Sequence, residues 1–144
     1  TNWGEIDVMV IDMPPGTGDI QITLSQRVNM DGVVIVSTPQ DIALIDAIKG
    51  VNMFKKTGTP ILGIIENMSY FICPCCGARS DIFGHEGAKQ TAEKMGETFL
   101  GEIPLDMAIR QNADKGTPIV VSAPNSPYSQ AYLDIAKKII QRIG

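Results

Sequence analysis

No apolar run in the 144 residues approaches the ~20 that a membrane-spanning helix needs. No signal-peptide pattern opens the sequence. Lys and Arg nowhere gather into a basic stripe, and the formal net charge is −4, so the electrostatic footprint of a nucleic-acid binder is missing. The expected partners therefore include neither nucleic acid nor membrane. Cysteine is scarce and confined to Cys73, Cys75 and Cys76, which cannot make a disulfide framework. Clustering of that kind suits a reducing compartment, here the cytoplasm, and a metal or redox role. His85 is the single histidine. Internal repeats and low-complexity stretches are absent. So is an initiator Met: Thr1-Asn2-Trp3-Gly4 runs almost at once into an apolar segment, and the expectation is the C-terminal part of a longer chain.

What is present is an ordinary globular composition, 44% hydrophobic. At this length one domain buries about two-thirds of its extended-chain surface.

The chain is organised around Ile6-Asp7-Val8-Met9-Val10-Ile11-Asp12-Met13-Pro14-Pro15-Gly16-Thr17-Gly18-Asp19. Its first half predicts a short strand buried on both faces. Asp12 ends that strand, two prolines forbid further ladder, and Gly-Thr-Gly opens a helix. A carboxylate at a strand's C-terminal end, followed by flexible backbone N–H groups, is suited to a hydrated metal and a phosphate.

A helix is expected from Asp19 to Val28, then a second doubly buried strand at Val33–Val36. Asp41 is expected to N-cap a helix reaching Lys56. Ile61–Ile65 reads as a third strand, with Glu66-Asn67-Met68-Ser69 at its end. The cysteines fall in an interrupting segment, about 70–87. Beyond it come a helix to Met95, a short strand at Thr98–Gly101, and a helix capped by Asp106 that ends at Lys115 before Gly116. Pro118–Val121 reads as a last short strand. Ser126 and Pro127 start a final helix whose apolar stripe is Tyr128, Tyr132, Ile135, Ile139 and Ile140. Lys137, Lys138 and Arg142 near its end favour a docked helix with a compensated dipole over a membrane-surface helix.

Alternating strands and helices predict an α/β fold, a mostly parallel sheet with flanking helices. Ligands of such sheets bind outside the C-terminal strand ends. Asp12, Pro39, Asn67 and Pro104 are all expected on that rim.

The sequence resembles the Mrp-type (ApbC-like) iron–sulfur cluster carriers of the MinD/ParA P-loop ATPases. The resemblance rests on Asp12–Asp19, Ser37-Thr38-Pro39-Gln40-Asp41, Glu66-Asn67-Met68-Ser69, Cys73-Pro74-Cys75-Cys76 and Gly101-Glu102-Ile103-Pro104-Leu105. It implies a P-loop NTPase-like domain, ATP and Mg2+ as ligands, and ATP hydrolysis in a complete protein. Asp12 resembles the carboxylate that holds the magnesium shell and attacking water. Pro14 and Pro15 fix the loop's path, while Gly16 and the adjoining Thr17 lie on the phosphate side. Asn67 resembles the residue that reads the adenine edge, where an amide offers both donor and acceptor, and backbone near Pro104 closes over the base.

One departure is large. The Gly-rich loop ending in Gly-Lys-Ser/Thr is missing. Gly50-Val51-Asn52-Met53-Phe54-Lys55-Lys56-Thr57 comes nearest, but Lys55 stands where the second Gly must be, and the segment reads as helix. The fold is thus an incomplete P-loop NTPase-like one, and these residues alone should not hydrolyse ATP.

Cys73 and Cys76 form one Cys-x-x-Cys pair, half of a tetrahedral sulfur site. One completion is zinc on Cys73, Cys75, Cys76 and His85, although adjacent cysteines ligate one metal awkwardly. A thioredoxin-like pair is a poor fit, because Cys76-Gly77 enters a loop rather than a helix. The resemblance implies a third arrangement, a 4Fe–4S cluster bridged by Cys73 and Cys76 from each of two subunits, for which zinc is a substitute. Recipient iron–sulfur apoproteins are then partners. The rival readings are a zinc-bound, non-catalytic dimerisation domain and a MinD/ParA-type positioning ATPase.

Overall fold

The computed structural model describes residues 2–144; Thr1 lies outside them. The elements are α1 (Asp19–Arg27), β1 (Val33–Ser37), α2 (Asp41–Thr57), β2 (Ile61–Glu66), β3 (Phe71–Ile72), β4 (Arg79–Ser80), α3 (Gly87–Met95), β5 (Phe99–Glu102), α4 (Met107–Asp114), α5 (Ile119–Ser122) and α6 (Pro127–Ile143). Strands β1, β2 and β5 form a parallel sheet with β2 in the middle. This is the expected α/β architecture.

Alternation along β2 divides the interior in two. Ile64 faces a core built with Ile35, Leu44, Val51, Phe54, Ala88 and Ala92, so α2 and α3 cover that face. Ile65 faces Leu100, Ile103 and Ile135 on the other, with Tyr132 and Ile139 of α6 packed alongside. Period-2 side-chain direction in the strand produces this division. Gly101 lets α6 approach closely, since a Cβ there would lie 2.9 Å from Ile135 Cγ1. Lys138 Nζ donates to Leu100 O at 2.6 Å and Arg142 Nη2 to Thr98 Oγ1 at 2.5 Å. The basic end of α6 is therefore docked on the sheet, as expected, although Ile140 of its predicted stripe is exposed.

Four expectations need correction. Residues 6–11 form no strand: they join no ladder, and Ile6, Val8, Met9, Val10 and Ile11 are exposed. A doubly buried strand needs a neighbour for its backbone groups and a cover for each face, and no described residue supplies either. Strand β1 is buried on one face only, with Val36 58% exposed, because it lies at the sheet's edge and α6 covers the β5 side. Asp41 is the first residue of α2, not its cap; extended Gln40 takes the cap position, and Asp41 instead complements the helix dipole. Residues 119–122 are a short helix rather than a strand. The Ser129 hydroxyl lies 3.0 Å from Ile119 O and 2.7 Å from Ala123 O, so α6 occupies carbonyls that a ladder would need. The Asp106 and Ser126 caps form as expected, accepting from Ala108 N and Ser129 N.

Candidate functional site

The C-terminal strand ends are stitched into one rim. Asn67 N–H donates to Ser37 O at 2.7 Å, joining the ends of β2 and β1. Ile103 N–H donates to Glu66 O at 2.8 Å and Ser69 N–H to Ile103 O at 3.0 Å, joining β2 to β5. Pro39, Asn67 and Pro104 follow these three parallel strands, so the structure gathers them as expected. The Pro104 ring is buried. Asn67 Oδ1 accepts the next N–H, that of Met68, at 3.0 Å. Met68 adopts φ 54°, a left-handed conformation unusual for a side chain of its size.

Asp12 is not at a strand end, because its strand is not formed; it is exposed on the loop before Pro14. The loop is nevertheless anchored. Gln21, only 3% exposed, donates from Nε2 to Pro14 O at 2.7 Å and Pro15 O at 3.3 Å. Met13 and Ile22 pack against the core beside it. Gly16 and Thr17 are exposed at the start of α1. Sequence reasoning missed Gln21; a polar residue two positions into a helix gives no signal of its inward aim.

The interrupting segment that carries the cysteines contains a small hairpin. β3 and β4 pair antiparallel, Phe71 with Ser80 and Ile72 with Arg79. The pairing continues as Cys73 N–H donates to Ala78 O at 2.9 Å, and the turn closes as Gly77 N–H donates to Cys73 O at 2.8 Å. Gly77 adopts φ 70°, a conformation that glycine takes without strain. Cys73, Cys75 and Cys76 are all free thiols. The backbone N–H of Cys76, then that of Cys75, donates toward the Cys73 sulfur and holds its thiol below the ordinary value. Donors aimed at sulfur stabilise thiolate, the form that binds metal.

Among the described residues no three His, Cys, Asp or Glu side chains are gathered to hold a metal ion. The set Cys73, Cys75, Cys76 and His85 is thus not assembled; His85 Nδ1 instead lies 2.6 Å from Asp81 Oδ2. Tyr70, Phe71 and Ile72, beside the cysteines, are half-buried. Burial, then the Glu102 charge, pushes the Tyr70 hydroxyl up, against the opposing Arg79.

Glu66 and Ser69 tie the hairpin, the rim and α3 together. Glu66 is fully buried. Its carboxylate accepts the Ser69 hydroxyl at 2.5 Å and the Ala88 N–H at 2.6 Å. Their position in the Glu-Asn-Met-Ser block was visible in the sequence, their bonding was not. A groove of about 620 Å³ between α2, α3 and the loop at 83–85, floored by Leu44, Ile45, Ile48 and Phe83, touches the rim at Pro39 and includes His85, but neither Asp12, Asn67, Pro104 nor the cysteines.

A family model matches residues 1–140: ParA, described as NUBPL iron-transfer P-loop NTPase. The chain belongs to that family. It is 57% identical over 143 residues to the iron-sulfur cluster transfer protein NUBPL of Dictyostelium discoideum, covering 99% of this chain and 44% of that protein. It is 50% identical over 143 residues to the iron-sulfur cluster carrier protein of Escherichia coli K12, covering 99% of this chain and 39% of that one. A nucleotide-binding protein from Archaeoglobus fulgidus in complex with ADP, with cobalt, superposes with TM-score 0.74 at 41% identity, covering 88% of this chain and 51% of that chain. The cell division ATPase MinD of Pyrococcus furiosus follows the same fold, with TM-score 0.62 at 28% identity, covering 77% of this chain and 43% of that chain. The chain thus spans under half the length of both carrier relatives. No helix among the described residues is long and apolar enough to cross a membrane.

Proposed function

We propose that this chain serves an ATP-dependent iron–sulfur cluster carrier or assembly factor, with the cluster held between two copies by Cys73 and Cys76 of each. The turn at 73–77 supports this reading: Gly77 N–H donates to Cys73 O and closes a single turn that holds Cys73 and Cys76, and backbone N–H groups favour thiolate at Cys73. Two thiolates leave a four-sulfur site half filled, and a symmetric second copy supplies the other half. The names of the Dictyostelium and E. coli relatives agree with a carrier. The cluster is cargo, passed on to recipient apoproteins in a reducing compartment, the cytoplasm.

On this reading residues 1–144 are the C-terminal part of a single P-loop NTPase-like domain, with the cysteine hairpin inserted at about 70–87. The exposed apolar run at 6–11 becomes a strand once a neighbouring strand, outside these residues, pairs with it. Asp12 then stands at a strand end, where it orients a magnesium shell and a water. The Gly16 N–H and Thr17 face the phosphates, Pro14 and Pro15 hold the loop, and Asn67 with backbone at Pro104 receives the adenine. The missing phosphate loop must come from the rest of the protein for ATP to be hydrolysed.

Anaerobic purification followed by metal and acid-labile sulfide analysis tests the carrier reading. Iron with matching sulfide supports it. Zinc that persists without sulfide after anaerobic reconstitution with ferrous iron and sulfide overturns it in favour of a zinc-bound dimerisation domain, and uptake of neither metal nor sulfide leaves a positioning ATPase.

A further inference from the structure

The hairpin that carries the cysteines is tied at its base by backbone, Leu105 N–H donating to Tyr70 O at 2.7 Å, and its second strand reaches the sheet through the Arg79 side chain. Arg79 on β4 sends Nη1 to Glu102 Oε1 at 3.2 Å and Nη2 to Glu102 Oε2 at 3.3 Å, two bonds of one fork. Its Nε donates to Asp81 Oδ1 at 3.1 Å. Its guanidinium also lies over the Tyr70 ring, 4.0 Å from the centroid. Glu102 is the last residue of β5, and its Oε2 accepts from the Ser69 hydroxyl at 3.0 Å. Arg79 therefore spans from the base of the cysteine turn to the end of the sheet.

The hairpin needs such a support. Each of its strands has two residues, and a two-stranded ribbon is marginal by itself. Its ladder fixes Cys73 relative to Ala78, and the Leu105–Tyr70 backbone bond holds the base of β3 only, so β4 takes its direction to the sheet from Arg79. A bidentate guanidinium–carboxylate pair sets distance and plane together, which a lysine ammonium does not. The pair is half-exposed, at 40% and 34%, and pairs of that exposure contribute little to folding. Its consequence is direction rather than stability.

We infer that Arg79 is a positioning residue for the cluster ligands, acting through Glu102 to fix the angle at which the hairpin offers Cys73 and Cys76 to a second copy. The inference rests on the reading that these cysteines hold the cluster.

The test reconstitutes the protein anaerobically with ferrous iron and sulfide. Iron content, the visible circular dichroism of the cluster and its rate of loss to a chelator are then measured. The variants are Arg79→Gln, Arg79→Lys, Glu102→Gln and the double Arg79→Gln/Glu102→Gln, with thermal melts beside them. Each neutral single variant is expected to take up the same iron and lose it about tenfold faster, the lower end of what removing a ligand-orienting partner costs. The circular dichroism band should change while the melting midpoint holds. The double variant should be no worse than either single, and Arg79→Lys should fall between wild type and Arg79→Gln. Loss rates within twofold of wild type with an unchanged band overturn the inference, as do single effects that multiply in the double. If Arg79→Gln fails to fold, Arg79→Lys and Glu102→Gln decide: fast loss supports positioning, wild-type loss overturns it. Failure of the unsubstituted protein to take up iron overturns the underlying cysteine reading and is distinguished by appearing without any substitution.

Discussion

The Glu66 carboxylate accepts the Ala88 backbone N–H at 2.6 Å, so α3 is capped from the end of β2 rather than from its own sequence. Glu86 stands at the N-cap of α3 with φ 52° and makes no side-chain cap bond. Helix starts leave N–H groups in need of acceptors, and a buried strand-end carboxylate supplies one here.

Glu66→Ala should therefore destabilise the fold by about 2–4 kcal/mol, since it opens a cavity and strands the buried Ala88 N–H. Glu66→Gln keeps an acceptor and should cost roughly half as much. Urea unfolding measures both. A loss below about 1 kcal/mol for the alanine variant contradicts the capping role.

Gly63 on the central strand adopts φ 149°, and a Cβ there would lie 2.6 Å from Thr98 O and 2.7 Å from Leu100 Cγ. The β1–β2 pairing shifts register beside it. Gly63→Ala should destabilise by about 2 kcal/mol or more, as overpacking and an unfavourable φ combine. A neutral or raised thermal midpoint contradicts this.

Most of the sheet was legible because burial on both faces leaves an unbroken apolar run, as in Ile61–Ile65, and because Gly116, Ser126 and Pro127 carry local stop and start signals. The same rule misplaced residues 6–11, since an apolar run states what a strand would bury and not what will pair with it. Pro118–Val121 failed for a different reason: Ser129, ten residues from Ile119, captures that carbonyl, and no local pattern reports it. At the site, Pro39, Asn67 and Pro104 follow from strand direction alone. Arg79, Glu102 and Gln21 act through contacts across the fold and left no spacing to read.

Asp12, Gly16 and Thr17 are exposed on a loop, and the sequence has no Gly-Lys-Ser/Thr segment to cradle phosphates. Backbone N–H groups of such a loop supply most phosphate donors. Isothermal calorimetry on the 144-residue chain is expected to show ATP binding weaker than millimolar. Micromolar binding contradicts the assignment of the phosphate site to residues beyond this chain.

The Cys73 thiol is held low chiefly by the backbone N–H groups of Cys76 and Cys75. A lowered value means that the reactive thiolate persists to lower pH than in an ordinary cysteine. In a Cys75→Ser/Cys76→Ser variant those backbone donors remain. Iodoacetamide alkylation of Cys73 should then rise at lower pH than that of an unstructured cysteine peptide measured beside it. A midpoint at or above the peptide's contradicts donation from these N–H groups to the Cys73 sulfur.

The central claim is that Cys73 and Cys76 of two copies bridge one cluster while Cys75 and His85 are dispensable. Anaerobic reconstitution of single variants, read as iron and sulfide per dimer, tests it most directly. The expected result is roughly four irons per dimer for wild type, Cys75→Ala and His85→Ala, and none for Cys73→Ala or Cys76→Ala. Full iron uptake by Cys73→Ala or Cys76→Ala, or its loss in Cys75→Ala, contradicts the bridging arrangement.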